Sequence, residues 1–147
     1  MGFHGKDLRK GRHSIPGQIY LVTTVTPHRE RLFEDWATAC QVCRQIHHAE
    51  ELQTLAWVLM PDHLHWLLQL QEERLEHVMR SFKSRTAIAI NAASQRTGKA
   101  WQSGYHDRAL RHEEDLKAVA RYIIANPLRA GLVKRVADYP FWNAIWL

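Results

Sequence analysis

Apolar and polar positions alternate or recur along this chain in a pattern that predicts a β-α-β-β-α-β-α order. Gln18 to Thr26 mixes Ile19, Leu21, Val22 and Val25 with threonines, a composition suited to a strand, and Pro27 closes it. Asp35 can cap a helix running to about Glu51, with Trp36, Cys40, Cys43 and Ile46 or His47 on its apolar side. Thr54 to Met60 and His63 to Leu70 are two apolar runs split by Pro61-Asp62, a pair that suits the middle of a type I turn. They read as a hairpin. Leu75 to Ser94 carries one stripe of Leu75, Val78, Met79, Phe82, Thr86 and Ala89, so it predicts an amphipathic helix that Gly98 stops. Trp101 to Leu110 reads as a further strand.

Glu113, Glu114 and Asp115 then open a last helix, where acidic residues favour the N-terminal dipole. Its core stripe is Leu116, Val119, Ala120 and Ile123, and Asn126-Pro127 ends or kinks it, because a residue before proline avoids the α region. Hairpins plus helices of this order predict an α+β fold: a ferredoxin-like antiparallel sheet with helices packed on it. The length of 147 residues suits a single domain, here residues 17–147 behind a basic arm of residues 1–16.

Charge sharpens this picture. The formal net charge is +5, and it is gathered in patches. Lys6, Arg9, Lys10 and Arg12 crowd the arm, Arg80, Lys83 and Arg85 the middle, and Arg129, Lys134 and Arg135 the end. Patches of this kind suit a phosphate track, and equally a solvated surface. Lys6, Arg9, Lys10, Arg12, Arg80 and Lys83 are the candidate DNA contacts. No apolar run approaches the roughly 20 residues needed to span a bilayer, and Met1 to Tyr20 holds no apolar signal segment. The two cysteines are too few for a disulfide framework. These features lead us to expect a cytoplasmic protein with no membrane partner. The absence of a glycine-rich phosphate loop and of a serine nucleophile elbow removes support for ATP-driven chemistry and serine hydrolysis.

Three groups could carry chemistry. His63 and His65 stand two apart on a strand, so both imidazoles project from one face, with Cα atoms about 6–7 Å apart. Two such histidines can share a metal ion, or can simply be hydrogen bonded beside a turn. Tyr122 and Asn126 stand four apart, neighbours on a helix face that borders the apolar stripe. Asn126 brings an amide oxygen suited to Mg2+ or Mn2+; the pair also fits a packed tyrosine and a helix-ending asparagine. Cys40 and Cys43, with His47, could be drawn as a zinc site, but mid-helix cysteines on an apolar stripe read as core.

Three separated stretches carry a resemblance. They are Trp57-Val58-Leu59-Met60-Pro61-Asp62-His63-Leu64-His65-Trp66, then Trp101-Gln102 with Gly104-Tyr105-His106-Asp107, then Tyr122-Ile123-Ile124-Ala125-Asn126-Pro127-Leu128-Arg129-Ala130-Gly131-Leu132. In this order they resemble the single-tyrosine HUH transposases, and more narrowly the REP-associated tyrosine transposases of bacteria. Asp138-Tyr139-Pro140 and Trp142 extend the likeness toward the end. The resemblance implies that His63 and His65 ligate a divalent metal, that Tyr122 is the nucleophile, and that Asn126 takes the third ligand position. Related transposases usually carry glutamine there, so the amide is kept on a shorter reach. It also implies a single-stranded or hairpin DNA partner with REP-like sequences, cut through a covalent 5′-phosphotyrosine, by a monomer or homodimer. Tyr105 is the alternative nucleophile. The competing function classes are a non-catalytic module that binds single-stranded nucleic acid, and a small zinc protein using Cys40, Cys43, His63 and His65.

Overall fold

The computed structural model describes residues 15–111 and 114–146. A five-stranded antiparallel sheet runs in the order β4-β1-β3-β2-β5. Its strands are β1 (Ile19–Val25), β2 (Leu52–Met60), β3 (His63–Leu70), β4 (His106–Ala109) and β5 (Trp142–Ala144). The helices are α1 (Trp36–His47), α2 (Leu75–Ser94), α3 (Leu116–Ile124) and the single turn α4 (Asn126–Arg129). The first four strands keep the ferredoxin-like connectivity that the βαββαβ order predicts. β5 was not anticipated. It is three residues long and follows Pro140, and it adds to the outer edge of β2.

Strand alternation divides the sheet into two faces. Tyr20, Val22, Leu64, Trp66, Leu68 and Leu70 point to one face and pack with Val42 and Ile46 of α1 and Val78, Met79 and Phe82 of α2. Trp66 and Phe82 are fully buried, with ring centroids 4.7 Å apart. The opposite face gathers Val58, Met60 and Leu67 under Ala120, Ile123 and Ile124 of α3. No helix among the described residues is long and apolar enough to cross a membrane.

Several expected details shift. α1 buries Thr38, Ala39, Val42 and Ile46, so its apolar stripe is rotated from the one expected. Trp36 is 63% exposed and rests beside Phe141, while Cys40 and Cys43 are only partly covered. The cap forms as expected, the Asp35 carboxylate accepting from the Thr38 N–H and hydroxyl. α2 has the expected bounds, but Ile90, not Ala89, completes its buried stripe. It ends before Gly98, where Gln95 turns left-handed at φ 51°. The strand expected over 101–110 shrinks to β4. Lys83 of α2 donates to the carbonyls of Gln102 and Gly104 and holds that stretch as a loop. α3 begins one residue after Asp115, whose carboxylate accepts from the Lys117 and Ala118 N–H groups. Glu113 lies outside the described residues.

Candidate functional site

β3 places His63 and His65 on the α3 face, because Leu64 and Trp66 between and beyond them are claimed by the opposite core. The two rings stand edge to face with centroids 4.7 Å apart. Each is oriented by a hydrogen bond at Nδ1. His63 Nδ1 lies 2.7 Å from Asp62 Oδ1, and His65 Nδ1 lies 2.8 Å from Thr23 Oγ1, its cross-strand partner on β1. A carboxylate at Nδ1 fixes the tautomer and turns the Nε2 lone pair outward, the arrangement that supports histidine as a metal ligand. Neither Nε2 hydrogen bonds to a described residue.

Asp62 ties this edge together. It sits in the two-residue β2–β3 turn, where neither Pro61 nor Asp62 has a positive φ, as an unprimed turn requires. Its second carboxylate oxygen accepts from Arg29 Nε at 2.8 Å, and its carbonyl accepts from Thr26 N at 3.0 Å. The segment that delivers Arg29 is strained, with His28 at φ 55° and Arg29 at φ 57°. Burial pushes the Asp62 carboxyl up, but its bonds to Arg29 and His63 outweigh burial and leave it below the usual range.

The electrostatics keep both imidazoles neutral. Burial lowers the pKa of His63, partly offset by Asp62. Burial also pushes His65 down, and the neighbouring His63, Arg129 and Arg29 add to it, so it falls to about 4. A neutral imidazole is the form that binds a metal.

Tyr122 sits on α3 beside buried Ile123 but turns outward and is 67% exposed. Asn126 opens α4 after the break that Pro127 imposes. Arg129 links the two. Its Nη2 donates to the Tyr122 carbonyl at 2.6 Å and to Asn126 Oδ1 at 3.0 Å, and its guanidinium carbon lies 4.0 Å from the Tyr122 ring centroid. α3 packs Ile123 and Ile124 against Val58 and Met60 of β2, the cross-strand partners of His65 and His63, so the helix that carries Tyr122 covers the face on which the histidine pair stands. Sequence reasoning named Arg129 only as part of a basic patch and of the resemblance stretch, and did not single out Thr23. Their roles rest on contacts, one of them between residues 42 apart in the chain, and residue type alone carries no sign of it.

Two imidazole nitrogens and an amide oxygen make a donor set that fits a divalent ion with coordination positions left over for substrate. Among the described residues no three of His, Cys, Asp and Glu form a group that could hold a metal ion. The cysteines stay apart from it. Burial, with Cys40 beside it, pushes the Cys43 thiol up to about 12, and Cys43 packs against the opposite core. Tyr105, the alternative nucleophile, is 6% exposed in that same core. Of the charged candidates, Arg80 is exposed on α2, across the sheet from the histidines, and the Lys83 ammonium is engaged by loop carbonyls. Lys6, Arg9, Lys10 and Arg12 lie outside the described residues.

The sheet order, with the histidine pair on its central strand and Tyr122 on the helix that covers that face, matches a transposase-type fold. The chain belongs to the IS200-like transposase family, whose model matches residues 15–126. It is 31% identical over 88 residues to a REP-associated tyrosine transposase of Escherichia coli (strain K12), covering 58% of this chain and 50% of that one. A Haemophilus influenzae relative described by the same family name is 28% identical over 147 residues, covering 88% of this chain and 81% of that one. The chain thus spans about half the length of the first relative and four fifths of the second. Two solved structures share the fold. A REP-associated tyrosine transposase bound to a REP hairpin superposes with a TM-score of 0.71 at 24% identity, covering 89% of this chain and 79% of that one. A Deinococcus radiodurans protein solved as a candidate transposase gives 0.55 at 20% identity, covering 79% of this chain and 95% of that one.

Proposed function

We propose that this chain cuts and rejoins single-stranded, hairpin-forming DNA, with Tyr122 as nucleophile and His63, His65 and Asn126 as ligands of Mg2+ or Mn2+. The observation that carries the proposal is the pairing on one face of two neutral, oriented imidazoles with an outward tyrosine. The solved relative bound to a REP hairpin supports the choice of DNA, since that protein shares the fold.

The Tyr122 oxygen attacks a backbone phosphorus. The bond from phosphorus to the 3′ oxygen breaks, and that oxygen leaves as a 3′-hydroxyl. The 5′-phosphate stays joined to the tyrosine, which conserves the ester energy, so rejoining by a 3′-hydroxyl needs no nucleotide cofactor. A bound divalent ion would polarise the phosphoryl oxygens. The exposure of Tyr122 lets an extended strand reach it, whereas a paired duplex fits poorly against a phosphotyrosine centre. The arm cations Lys6, Arg9, Lys10 and Arg12 supply charge for the flanking phosphates.

The test is incubation with end-labelled, hairpin-bearing single strands and Mn2+, followed by a denaturing gel. A protease-sensitive, slow-migrating adduct and a fragment that a polymerase can extend are expected. Tight binding with no adduct would leave a nucleic-acid-binding module in place of an enzyme.

A further inference from the structure

Pro127 has no N–H, so the hydrogen-bond ladder is interrupted where α3 passes into α4. That gap falls at the Ile123 carbonyl, four residues before the proline; the Tyr122 carbonyl next to it, in the last turn of α3, is met by a side chain. Arg129 Nη2 reaches it at 2.6 Å. The same nitrogen donates to Asn126 Oδ1 at 3.0 Å, which fixes which way the amide faces and leaves its oxygen a second lone pair. The guanidinium also covers the Tyr122 ring at 4.0 Å from its centroid. One planar group therefore touches the backbone and ring of Tyr122 and the amide of Asn126.

We propose that Arg129 is the positioning residue of the nucleophile, holding Tyr122 and Asn126 as one unit across the break at Pro127. The inference rests on the reading of Tyr122 as nucleophile. Without Arg129, the tyrosine is an exposed side chain next to a helix interruption, with its χ angles set by nothing else in the described contacts. Ring stacking confines it to a narrower arc. Nε and Nη1 of Arg129 hydrogen bond to no described residue, and the side chain is exposed, so that edge is accessible to a phosphodiester oxygen. Lysine cannot do this work. A point-charge ammonium could give N–H bonds to both oxygens but lacks the plane that covers the Tyr122 ring while it does so.

The test compares the full chain with Arg129→Ala, Arg129→Gln and Arg129→Lys, using single-turnover cleavage of the labelled hairpin strand with Mn2+. The rate constant at saturating DNA should fall about 100-fold in all three, the scale expected for loss of alignment. The half-saturating DNA concentration should change far less. Circular dichroism checks folding, and the glutamine variant decides if the alanine variant is unfolded. A second readout needs neither metal nor DNA. In NMR spectra of the metal-free protein, the Arg129 side-chain protons should be shifted upfield by the ring, and Tyr122→Leu should abolish the shift. Loss of affinity alone with the saturated rate kept, full activity in the lysine variant, or no ring shift would each overturn the proposal. If the unmodified chain forms no adduct yet shows the ring shift, the nuclease reading fails while the clamp stands.

Discussion

The two faces of the sheet are built on opposite terms. The face under α1 and α2 is closed: Val22, Leu64, Trp66, Leu68, Met79 and Phe82 are each at most 1% exposed. The α3 face is closed over Ala56, Val58, Met60 and Leu67, but it is not apolar throughout. Toward the β2–β3 turn it passes from apolar packing to His63, His65 and the Asp62–Arg29 pair. The same strand serves both, because alternation sends Leu64 and Trp66 one way and the histidines the other. The apolar face fixes where β3 sits. That lets the other face carry polar groups at the cost of burial, which is partly repaid at Nδ1 by Asp62 and Thr23.

If the faces divide labour in this way, a change on one should leave the other's property alone. Tyr122→Phe gives the largest effect. Covalent adduct and cleavage should vanish, because the nucleophilic oxygen is gone. The melting temperature and DNA affinity should hardly move, because the ring is 67% exposed and its stacking on Arg129 survives. A residual adduct in this variant would move the nucleophile elsewhere and break the assignment.

Phe82→Ala is the mirror experiment. Phe82 is fully buried between Trp66 and Trp101, with centroid distances of 4.7 Å and 6.1 Å. Truncation should cost about 3–5 kcal/mol in urea unfolding. At a temperature where the variant is still folded, metal affinity should match the unmodified chain. A selective loss of metal affinity at full foldedness would mean the faces are coupled.

Thr86→Val probes the apolar face more gently. Its hydroxyl accepts from Trp101 Nε1 at 2.7 Å and donates to the Phe82 carbonyl at 2.9 Å, all inside the core. Valine keeps the volume and strands the indole N–H, so a loss of about 1–3 kcal/mol is expected in the same unfolding assay. A neutral result would mean that the indole finds another acceptor.

The apolar face was largely legible in the sequence. The spacing of Leu75, Val78, Met79 and Phe82 defines α2 with its observed bounds, and Leu64-Trp66-Leu68-Leu70 defines the buried side of β3. α1 misled because Trp36 counts as apolar wherever it lies, and only its rest against Phe141 makes exposure tolerable. β5 is too short for a period-2 pattern to register, and its pairing partner on β2 is about 86 residues earlier. On the α3 face the histidine spacing and the Tyr122–Asn126 spacing could be read directly, as helix and strand periods. Thr23, Arg29 and Arg129 could not, because what matters about them is which distant atom they touch.

The last expected effect tests the polar end of the α3 face through pH. His65 is held at about 4, below its ordinary 6.5, by burial first and then by His63, Arg129 and Arg29. In the unfolded chain it takes up a proton near 6.5. Between these values the unfolded state binds the proton and the folded state does not, so stability rises with pH across that window. As pH falls from about 6.5 toward 4, the metal-free protein should therefore lose stability, and below 4 this contribution should flatten. His63 adds to the slope in the same direction, because burial lowers it too. The lowered carboxyls of Asp62 and Asp35 act at more acid pH, below their ordinary value of 3.8. Chemical denaturation of the metal-free chain and of His65→Gln at several pH values isolates the histidine. Glutamine cannot titrate, so the variant's curve should be shallower between pH 6.5 and 4, and the two should run parallel above 7. Parallel curves throughout would mean that His65 is not held neutral by its surroundings, and that the polar end of the α3 face is more open to water than its packing indicates.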